Sequence, residues 1–331
     1  MIDRIKYLIW DNIDPHNNLA LEEYLLKHVQ KGECILYLWQ NEKTVVIGRN
    51  QNALKECKVK ELEEDGGHLV RRLSGGGAVF HDLGNLNFTF LMQKEDYNVE
   101  KQMEVILEAV RSFGIPAEKS GRNDITVDDK KFSGNAFYQD GEACYHHGTI
   151  LLSVDMSKLS HYLNVSREKL IAKGVESVRA RVTNLSEFSK DINVENMKEA
   201  LVKAFSKVYG LIPEPFDRDS IGEEEWKALV DKFSSWNYKY GRKLESNYSV
   251  ERKFSWGMTQ IHFLIDFGKV QEVTVYTDAL DVSIPERLEA YLKGSIFSSK
   301  ELTKVLSPLL EDETMNEIAK DVIVLLEEEG L

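Results

Sequence analysis

The sequence predicts an α+β protein with two domains. Strand and helix signals follow one another irregularly along the 331 residues, without the regular strand–helix repeat of a doubly wound parallel sheet. The chain is longer than one typical domain. A composition break near residues 213–219 is followed by a polar stretch over residues 237–247. We therefore expect a large domain over residues 1–246 and a small α/β domain over residues 247–331.

The large domain opens with the signals of a helix. Asp14-Pro15 precedes an apolar run over residues 19–26, and Asn17 and Asn18 are candidate N-caps. Runs rich in β-branched and aromatic residues then predict strands. The predicted strands are residues 35–39, 44–47, 86–90 and 149–154.

Periodicity supports one of these strands and a second helix. Leu86, Phe88 and Phe90 alternate with polar residues, which places the three side chains on one face of a strand. Apolar residues then recur at helical spacing over residues 103–113, and the pattern ends at Gly114. Both elements are expected to bury an apolar face.

The C-terminal tail has the signals of a small separate core. Residues 261–265 and 273–276 read as strands on either side of Phe267-Gly268, which predicts a hairpin. Amphipathic helices are expected from about Pro285 and Ser299. None of the motifs described below lies in this tail, which we expect to form a small α/β module.

Composition excludes several classes of protein. The 42 Lys and Arg residues stand against 55 Asp and Glu residues, so no global basic surface for nucleic acid is expected. The longest apolar run, residues 34–39, is far shorter than the ~18 residues that a membrane span needs. Three cysteines without a CxxC pair predict no disulfide framework. We expect a cytoplasmic protein that binds neither nucleic acid nor membrane.

The most informative segment is Arg71-Arg72-Leu73-Ser74-Gly75-Gly76-Gly77-Ala78-Val79-Phe80-His81-Asp82. Three consecutive glycines are costly to order, so such a run indicates left-handed backbone angles or a closely approaching ligand. Successive N–H groups in that geometry attract anions, and two arginines add forked positive charge. The segment therefore predicts a loop that binds phosphate or carboxylate. It is not a Walker A loop, because no Gly-Lys-Ser/Thr follows.

Two further segments carry candidate reactive groups. Lys131 precedes Ser-Gly-Asn-Ala at residues 133–136, where a tight turn could present one ammonium group to a pocket; taken alone, however, the segment favours a solvated hairpin tip. Cys144, His146 and His147 stand close together, which suggests a metal site or an activated thiol. No cluster with zinc spacing stands elsewhere in the sequence, so a buried, structural Cys144 is favoured.

Together these segments resemble the lipoate–protein ligase A family. The family's glycine-rich signature is intact at residues 71–82 and continues as Leu-Gly-Asn at residues 83–85. Its Lys-x-Ser-Gly-Ser/Asn-Ala segment is matched at residues 131–136, and its His-His-Gly-Thr segment at residues 146–149. A basic stretch at residues 173–185 matches the family's Lys-Gly to Val-Thr-Asn-Leu segment. The resemblance spans essentially the whole chain.

The resemblance implies a fold, a reaction and partners. The implied fold is a catalytic domain of the biotin/lipoate ligase type, related to class II aminoacyl-tRNA synthetases, with a small C-terminal α/β accessory domain. In the implied reaction, free lipoate and ATP with Mg²⁺ give lipoyl-AMP and pyrophosphate, and the lipoyl group passes to a lysine of a lipoyl domain. The implied acceptors are the E2 subunits of 2-oxoacid dehydrogenases and the H protein of glycine cleavage. A monomer is expected.

The resemblance also implies roles for individual residues. Lys131 is expected to be the catalytic cation that touches both the acyl carbonyl and the α-phosphate, and Asp124 is the candidate Mg²⁺ contact. The implied contacts to lipoate or lipoyl-AMP are Trp39, Arg72, Ser74, Gly75, Gly76, Gly77, His81, Asn85 and Thr149. The implied contacts to ATP and adenine are Ala78, Val79, Phe80, Asp124 and Lys131.

Three alternatives remain compatible with the sequence. An octanoyl or lipoyl transferase of the same fold would use Cys144 as its nucleophile. A biotin ligase would carry a glycine-rich loop of a different pattern. A regulator without catalytic activity would bind lipoate or a nucleotide and would show no turnover.

Overall fold

The computed structural model describes residues 1–121, 124–164, 182–241 and 245–331 of the chain. Strands and helices follow one another irregularly in these ranges. The strands are β1 (Arg4–Ile9), β2 (Glu33–Trp39), β3 (Thr44–Ile47), β4 (His68–Arg71), β5 (Val79–His81), β6 (Asn85–Gln93), β7 (Glu118–Ser120), β8 (Asp124–Val127), β9 (Lys130–Asp140), β10 (Ala143–Leu151), β11 (Glu214–Pro215), β12 (Tyr248–Lys253), β13 (Met258–Asp266) and β14 (Lys269–Thr277). The helices are α1 (Pro15–His28), α2 (Ala53–Glu56), α3 (Val59–Glu64), α4 (Val99–Arg111), α5 (Met156–Tyr162), α6 (Val194–Tyr209), α7 (Glu223–Ser234), α8 (Trp236–Tyr240), α9 (Ile284–Leu292), α10 (Ser299–Leu306) and α11 (Asn316–Glu328).

The chain divides into two compact units. The N-terminal unit comprises Met1–Val46, Leu54–Arg72 and Ala78–Lys239. The C-terminal unit comprises Tyr240–Leu331 together with two earlier excursions of the chain, Ile47–Ala53 and Leu73–Gly77. From sequence alone, the division is expected between residues 246 and 247, with both excursions in the large domain. The second excursion carries residues Leu73–Gly77 of the glycine-rich segment.

An eight-stranded sheet forms the centre of the N-terminal unit, in the order β11–β1–β2–β6–β10–β9–β8–β7. Strand β1 is parallel to both neighbours, whereas the other neighbouring pairs of this sheet are antiparallel. A three-stranded sheet has the order β4–β3–β5. The predicted α+β class is confirmed, because helices do not alternate with parallel strands. Among the described residues, no helix has the length and apolar content that crossing a membrane requires.

One face of the central strands forms the main apolar core. Leu86, Phe88 and Phe90 of β6 belong to one buried cluster with Ile106 of α4 and Phe205 of α6. The predicted shared face of the three β6 residues is therefore confirmed. Because side chains alternate along a strand, the polar residues of β6 face the opposite side of the sheet, where α1 lies against β6 and β10.

Helix α1 begins earlier than the sequence suggested. Pro15 occupies the first helical position, and the carboxylate of Asp14 accepts hydrogen bonds from two N–H groups of the first turn. The prediction that Asn17 or Asn18 caps this helix was therefore wrong. The fixed φ of proline suits the first helical position, and the residue before it then becomes the N-cap.

Two other local predictions also differ from the structure. The strand expected at residues 149–154 is β10, which begins at Ala143 because it pairs with β6 along its whole length. Lys131 was expected on a tight turn but lies in β9. The turn precedes it and is formed by Asp128 and Asp129, with φ values of 48° and 59°.

The C-terminal unit has its own sheet, β12–β13–β14, and a core shared with α9, α10 and α11. The predicted hairpin is confirmed: Asp266 pairs with Lys269, and Phe267 and Gly268 between them both have positive φ. The helices expected near Pro285 and Ser299 are α9 and α10. A small separate core is therefore present in this part of the chain, as predicted.

Backbone hydrogen bonds attach the two excursions to the C-terminal unit. The N–H of Thr277 donates to the carbonyl of Asn50 at 3.0 Å, and Asn50 Nδ2 donates to the carbonyl of Val282 at 2.9 Å. The N–H of Gly76 donates to the carbonyl of Ala279 at 3.2 Å. The segment over residues 277–282 therefore supports both excursions.

A buried histidine lies in the core of the N-terminal unit. His146 is fully buried, and its ring centroid is 5.0 Å from that of Phe137. Its Nδ1 and Nε2 lie 3.0 and 2.8 Å from the side-chain amides of Gln102 and Asn135. Burial, with a smaller effect of His147, lowers the pKa of His146 to about 3. The ring is therefore neutral, donating through one nitrogen and accepting through the other, so one of the two amides turns its NH₂ group towards it.

This histidine predicts a loss of stability in acid. An unfolded histidine takes up its proton near pH 6.5, whereas folded His146 does so only near pH 3. Its contribution to stability is complete above pH 6.5 and is lost as the pH falls from about 6.5 to about 3. Between pH 4 and 6, unfolded His146 binds about one proton more than folded His146. We therefore expect His146→Gln to reduce the slope of the unfolding free energy against pH by about 1.4 kcal/mol per pH unit in this range.

Urea unfolding at several pH values measures this slope. The matched control is His161→Gln, which changes an exposed histidine and should keep the wild-type slope. A wild-type slope in the His146→Gln variant would contradict the prediction.

Candidate functional site

Five neighbouring strands place residues of the predicted site in one row. Trp39 on β2 is the register partner of Asn87 on β6, and Asn87 is the partner of Thr149 on β10. The row continues on β9 at Gly134, whose N–H lies 3.4 Å from Thr149 Oγ1. It ends on β8 at Asp124, the register partner of Gly134. Trp39, Thr149 and Asp124 are far apart in the sequence and share one face of the sheet.

Lys131 places its ammonium group on this row. A Cβ at Gly134 would lie 2.9 Å from Lys131 Nζ, so the absent side chain of the glycine makes room for the ammonium. Nζ lies 2.6 Å from Asp124 Oδ1, and the two side chains are 36% and 38% exposed. The N–H of Thr183 donates to the carbonyl of Lys131 at 2.9 Å. The ammonium is thus positioned, and its partly exposed ion pair is weak enough to exchange for an anionic ligand.

A buried chain of hydrogen bonds orients the indole of Trp39. Its Nε1 donates to Thr89 Oγ1 at 3.2 Å, and the hydroxyl of Thr89 donates to Glu22 Oε1 at 2.7 Å. His147 Nδ1 lies 2.9 Å from the same carboxylate oxygen. All four side chains are buried. Because a carboxylate oxygen accepts hydrogen bonds, each donor in the chain points towards Glu22.

Sequence reasoning missed Glu22 and Thr89 as members of this chain. The available signal was a polar residue at a buried position: Glu22 interrupts the apolar run of α1, and Thr89 alternates with the core phenylalanines of β6. Buried polar residues of this kind need partners, so such positions predict a polar network even when they belong to no motif.

Arg72 contributes a buried positive charge near this chain. Its side chain is 6% exposed, and Nη1 donates to the carbonyl of Val46 at 3.2 Å. Burial lowers the pKa of the guanidinium to about 10, while Tyr145 and Glu22 act in the opposite direction. Arg72 therefore remains positively charged at neutral pH and compensates the carboxylate of Glu22.

The neighbouring arginine has a structural role. Arg71 Nε donates to the carbonyl of Tyr238 at 3.1 Å, and its Nη2 donates to the carbonyl of Lys239 at 2.6 Å. These carbonyls lie at the C-terminal end of the short helix α8, where the guanidinium acts as a hydrogen-bond donor to the last helical carbonyls. The two arginines of the motif thus differ in function.

The hydrogen-bond pattern determines the tautomer of His81. Three oxygens share the two N–H donors of Asn18 Nδ2, namely the carbonyls of Asn12 and Gln40 and Asn41 Oδ1 at 2.9 Å, so the amide nitrogen of Asn18 and the amide oxygen of Asn41 face each other. Asn41 Nδ2 is then left to donate to His81 Nδ1 at 3.2 Å. Burial lowers the pKa of His81 to about 3, so the neutral ring carries its proton on Nε2. Within the described part of the chain, this buried N–H has no acceptor.

Two asparagines of β6 show a similar pattern. Asn85 and Asn87 are buried, and Asn85 Nδ2 donates to Asn87 Oδ1 at 3.0 Å. Asn85 Oδ1 and Asn87 Nδ2 have no partner among the residues that the structure describes. Asn85 belongs to the predicted site, whereas Asn87 was not singled out from sequence.

The implied adenine contacts lie on and before β5. Val79 pairs with Val46 of β3, and Phe80 is buried with its ring 5.4 Å from that of Tyr162. Ala78 and Val79 are partly exposed. The side chain of Phe80 serves the core, so a contact of this strand with a base would use its backbone.

The remaining loop residues, Ser74 to Gly77, lie in the C-terminal unit. Ser74 is buried. A Cβ on Gly75 would lie 2.3 Å from the carbonyl oxygen of Ala279, and Gly76 has φ of 86°. A Cβ on Gly77 would meet no described atom within 4 Å. Packing therefore requires the first glycine and the backbone angle requires the second, whereas no atom of the described residues would touch a side chain at the third.

Cys144 does not have the environment of a nucleophile. It is 3% exposed, and its Sγ lies 3.6 Å from the carbonyl of Met92. Burial raises the pKa of the thiol to about 12. A reactive cysteine needs a lowered pKa and access to substrate, so the structure supports the structural role favoured from sequence.

No preformed metal cage is present in the described ranges: no group of three or more His, Cys, Asp or Glu side chains is arranged around a common point there. Residues 173–181 of the basic stretch that matches the family lie outside the described residues.

Family models match both units. The model for the lipoyl protein ligase A/B catalytic domain matches residues 14–206, and the model for the bacterial lipoate protein ligase C-terminus matches residues 243–326. A lipoate-protein ligase A of Bdellovibrio bacteriovorus is 38% identical over 315 residues, which is 92% of each chain. A lipoate-protein ligase A of Psychrobacter cryohalolentis is 41% identical over 84% of this chain and 85% of its own.

Solved structures agree with these matches. P. falciparum LipL1 in complex with lipoate has a TM-score of 0.83 and 30% identity, covering 96% of this chain and 99% of its own. A bipartite lipoate protein ligase of Thermoplasma acidophilum, described with its E2 lipoyl domain, has a TM-score of 0.64 and 28% identity over 75% of this chain and 100% of its own. A lipoate-protein ligase A bound with ATP has a TM-score of 0.63 and 27% identity over 73% of this chain and 99% of its own.

The intact glycine-rich motif, the family models that match both parts of the chain and the similarity over nearly the full length agree, and the chain belongs to the lipoate–protein ligase A family of enzymes.

Proposed function

We propose that this protein activates free lipoate with ATP to lipoyl-AMP and transfers the lipoyl group to a lysine of a lipoyl domain. The observation that carries the proposal is the Lys131 ammonium, held over Gly134 on the same row as Trp39. Its relatives support it: one solved structure is described with lipoate, another with ATP and a third with an E2 lipoyl domain.

In the first step, a lipoate carboxylate oxygen bonds to the α-phosphorus of ATP, and the bond to pyrophosphate breaks. Two anions must approach each other, so positioning and charge neutralisation provide most of the catalysis. Lys131 would neutralise both groups when its ion pair with Asp124 opens. No protein nucleophile takes part, which agrees with a buried, protonated Cys144.

Magnesium would enter with ATP. Protein sites for Mg²⁺ usually combine one or two carboxylates with substrate phosphates and water. Asp124 is partly exposed beside Lys131 and fits such a role as a single carboxylate. The ion would reduce the negative charge of the phosphates that the carboxylate of lipoate approaches.

In the second step, the lysine amine of the acceptor attacks the acyl carbonyl, the bond to AMP breaks, and the amine loses a proton to water. The archaeal relative is described together with its E2 lipoyl domain, which supports this class of acceptor. We propose the lipoyl domains of 2-oxoacid dehydrogenase E2 subunits and the glycine cleavage H protein as acceptors.

One assay separates this proposal from its alternatives. The protein is incubated with ATP, Mg²⁺, free lipoate and an apo lipoyl domain, and pyrophosphate and acylated domain are followed together. A ligase forms both; a transferase forms acylated domain only when an acylated acyl carrier protein is supplied as the donor; a regulator binds without turnover. Absence of ATP-dependent lipoylation with a range of apo lipoyl domains would overturn the proposal.

Lys131→Ala should reduce lipoate adenylation by about three orders of magnitude, since the charge at the reacting groups is lost. Pyrophosphate release measures the rate. The matched control is Lys130→Ala, which removes an exposed lysine next to it and should retain nearly full activity. Equal activities of the two variants would remove Lys131 from the catalytic role.

Gly77→Ala and Gly75→Ala should act differently. A Cβ on Gly77 meets no described atom, so we expect an unchanged melting temperature and lipoyl-AMP affinity about tenfold weaker or worse, because the ligand needs the space. A Cβ on Gly75 meets the carbonyl oxygen of Ala279, so we expect a melting temperature lower by several degrees. Calorimetry measures both quantities. Normal lipoyl-AMP binding by Gly77→Ala would show that no ligand approaches this glycine.

Cys144→Ser should retain most of the ATP-dependent activity, since the thiol is buried and protonated. No acyl group should be trapped on the wild-type protein during turnover. Intact-mass spectrometry after incubation with lipoyl and octanoyl donors checks this. A covalent acyl adduct on Cys144 would favour the transferase instead.

A further inference from the structure

Asn87 carries a buried hydrogen-bond donor that the fold does not use. Its side chain is 2% exposed, and its Oδ1 accepts from Asn85 Nδ2 at 3.0 Å. That bond turns Asn87 Nδ2 away from Asn85, and Nδ2 has no acceptor in the described ranges of the chain. An unsatisfied buried donor costs free energy and is rare in proteins, so it calls for a ligand that accepts from it.

The surroundings of Asn87 indicate where that ligand lies. Its register partners are Trp39 on one side and Thr149 on the other. His81, whose ring centroid is 6.4 Å from that of Trp39, carries a second buried N–H without an acceptor in the described residues. Two buried N–H donors, on Asn87 and His81, therefore lie near the indole of Trp39 without an acceptor among the described residues. A purely apolar slot beside Trp39 would not need them.

Strand spacing places Asn87 along the substrate. This step rests on the proposed function, in which the lipoate carboxylate meets Lys131 Nζ above Gly134 on β9. Strand β6 lies two strands from β9, which is about 10 Å at the usual spacing. An ammonium reaches its carboxylate over about 3 Å, which leaves roughly 6–7 Å between the carboxyl carbon and Asn87.

The acyl chain of lipoate matches this separation. Five C–C bonds join its carboxyl carbon to the ring carbon that bears the first sulfur, and in extended form they span roughly 6 Å at a bond length of about 1.5 Å. The atoms that reach Asn87 are therefore those of the dithiolane ring. The acyl carbonyl lies near Lys131 and is too far away.

We propose that Asn87 Nδ2 donates a hydrogen bond to a sulfur of the dithiolane ring and thereby selects lipoate over sulfur-free acids of the same shape. Divalent sulfur is a weak acceptor of hydrogen bonds. Asn85 is the positioning residue that orients the amide of Asn87. A ligand with a methylene at that place leaves the donor unsatisfied, which is how a polar site rejects an apolar analogue.

The test compares two acids on two proteins. The acids are lipoate and 5-cyclopentylpentanoate, in which both ring sulfurs are replaced by methylenes. The proteins are wild type and Asn87→Leu, which has a similar volume and no donor. ATP-dependent pyrophosphate release gives kcat/KM for each pair. We expect wild type to prefer lipoate by about tenfold and Asn87→Leu to lose most of this preference, chiefly by using the cyclopentyl acid better.

Controls separate packing from hydrogen bonding. Leu91→Met changes a buried side chain on the same strand and the same face, away from the row, and should keep the wild-type preference. If Asn87→Leu does not fold, Asn87→Ala replaces it. Comparing the two acids on wild type requires no variant at all.

Each outcome decides a different question. Equal use of the two acids by wild type, or an unchanged preference in a folded Asn87 variant, overturns the role of Asn87 and leaves the proposed function intact. Wild type that activates neither acid with ATP overturns the proposed function itself.

Discussion

A single buried carboxylate organises the polar face of the central sheet. Glu22 is 1% exposed, and an isolated charge at such a position would be very costly. Thr89 and His147 donate to it, and the positive charge of Arg72 lies close enough to interact with it. Removing one partner of such a group leaves uncompensated charge or polar atoms in the interior. The indole of Trp39 takes its orientation from this group through Thr89.

On the opposite face of the same strands, burial keeps two titratable side chains uncharged. Cys144 and His146 lie there, and burial raises the pKa of the thiol and lowers that of the imidazole. Both are neutral at physiological pH, so neither can serve as a thiolate nucleophile or carry charge. Lys131 keeps a partly exposed ammonium on the site face. Of these three side chains, that of Lys131 is the one whose charged group stays accessible.

The glycine-rich segment depends on residues some two hundred positions later in the chain. Ala279 accepts from the N–H of Gly76, and its carbonyl leaves no room for a side chain on Gly75. Nearby Thr277 and Val282 hold the other excursion through Asn50. The C-terminal unit thus sets the conformation of a loop whose sequence lies within the catalytic part. The C-terminal segment contributes no residue of the motif. It is nevertheless needed for the conformation of the motif, because it holds the loop in place.

The sequence by itself determined the fold class, several of the strands and helices, the hairpin of the C-terminal unit and the family, because these depend on local periodicity, turn residues and an intact motif. It placed Lys131 on a turn and the cap of α1 at Asn17 or Asn18, since single-residue boundaries depend on pairing and capping partners that periodicity does not specify. Only the tertiary structure decided that Trp39, Asn87, Thr149 and Asp124 form one row, and that Arg71 satisfies backbone carbonyls while Arg72 compensates Glu22. The physical reason is that strand register and buried hydrogen bonds join residues far apart in the chain, and neither is encoded in any short stretch of sequence.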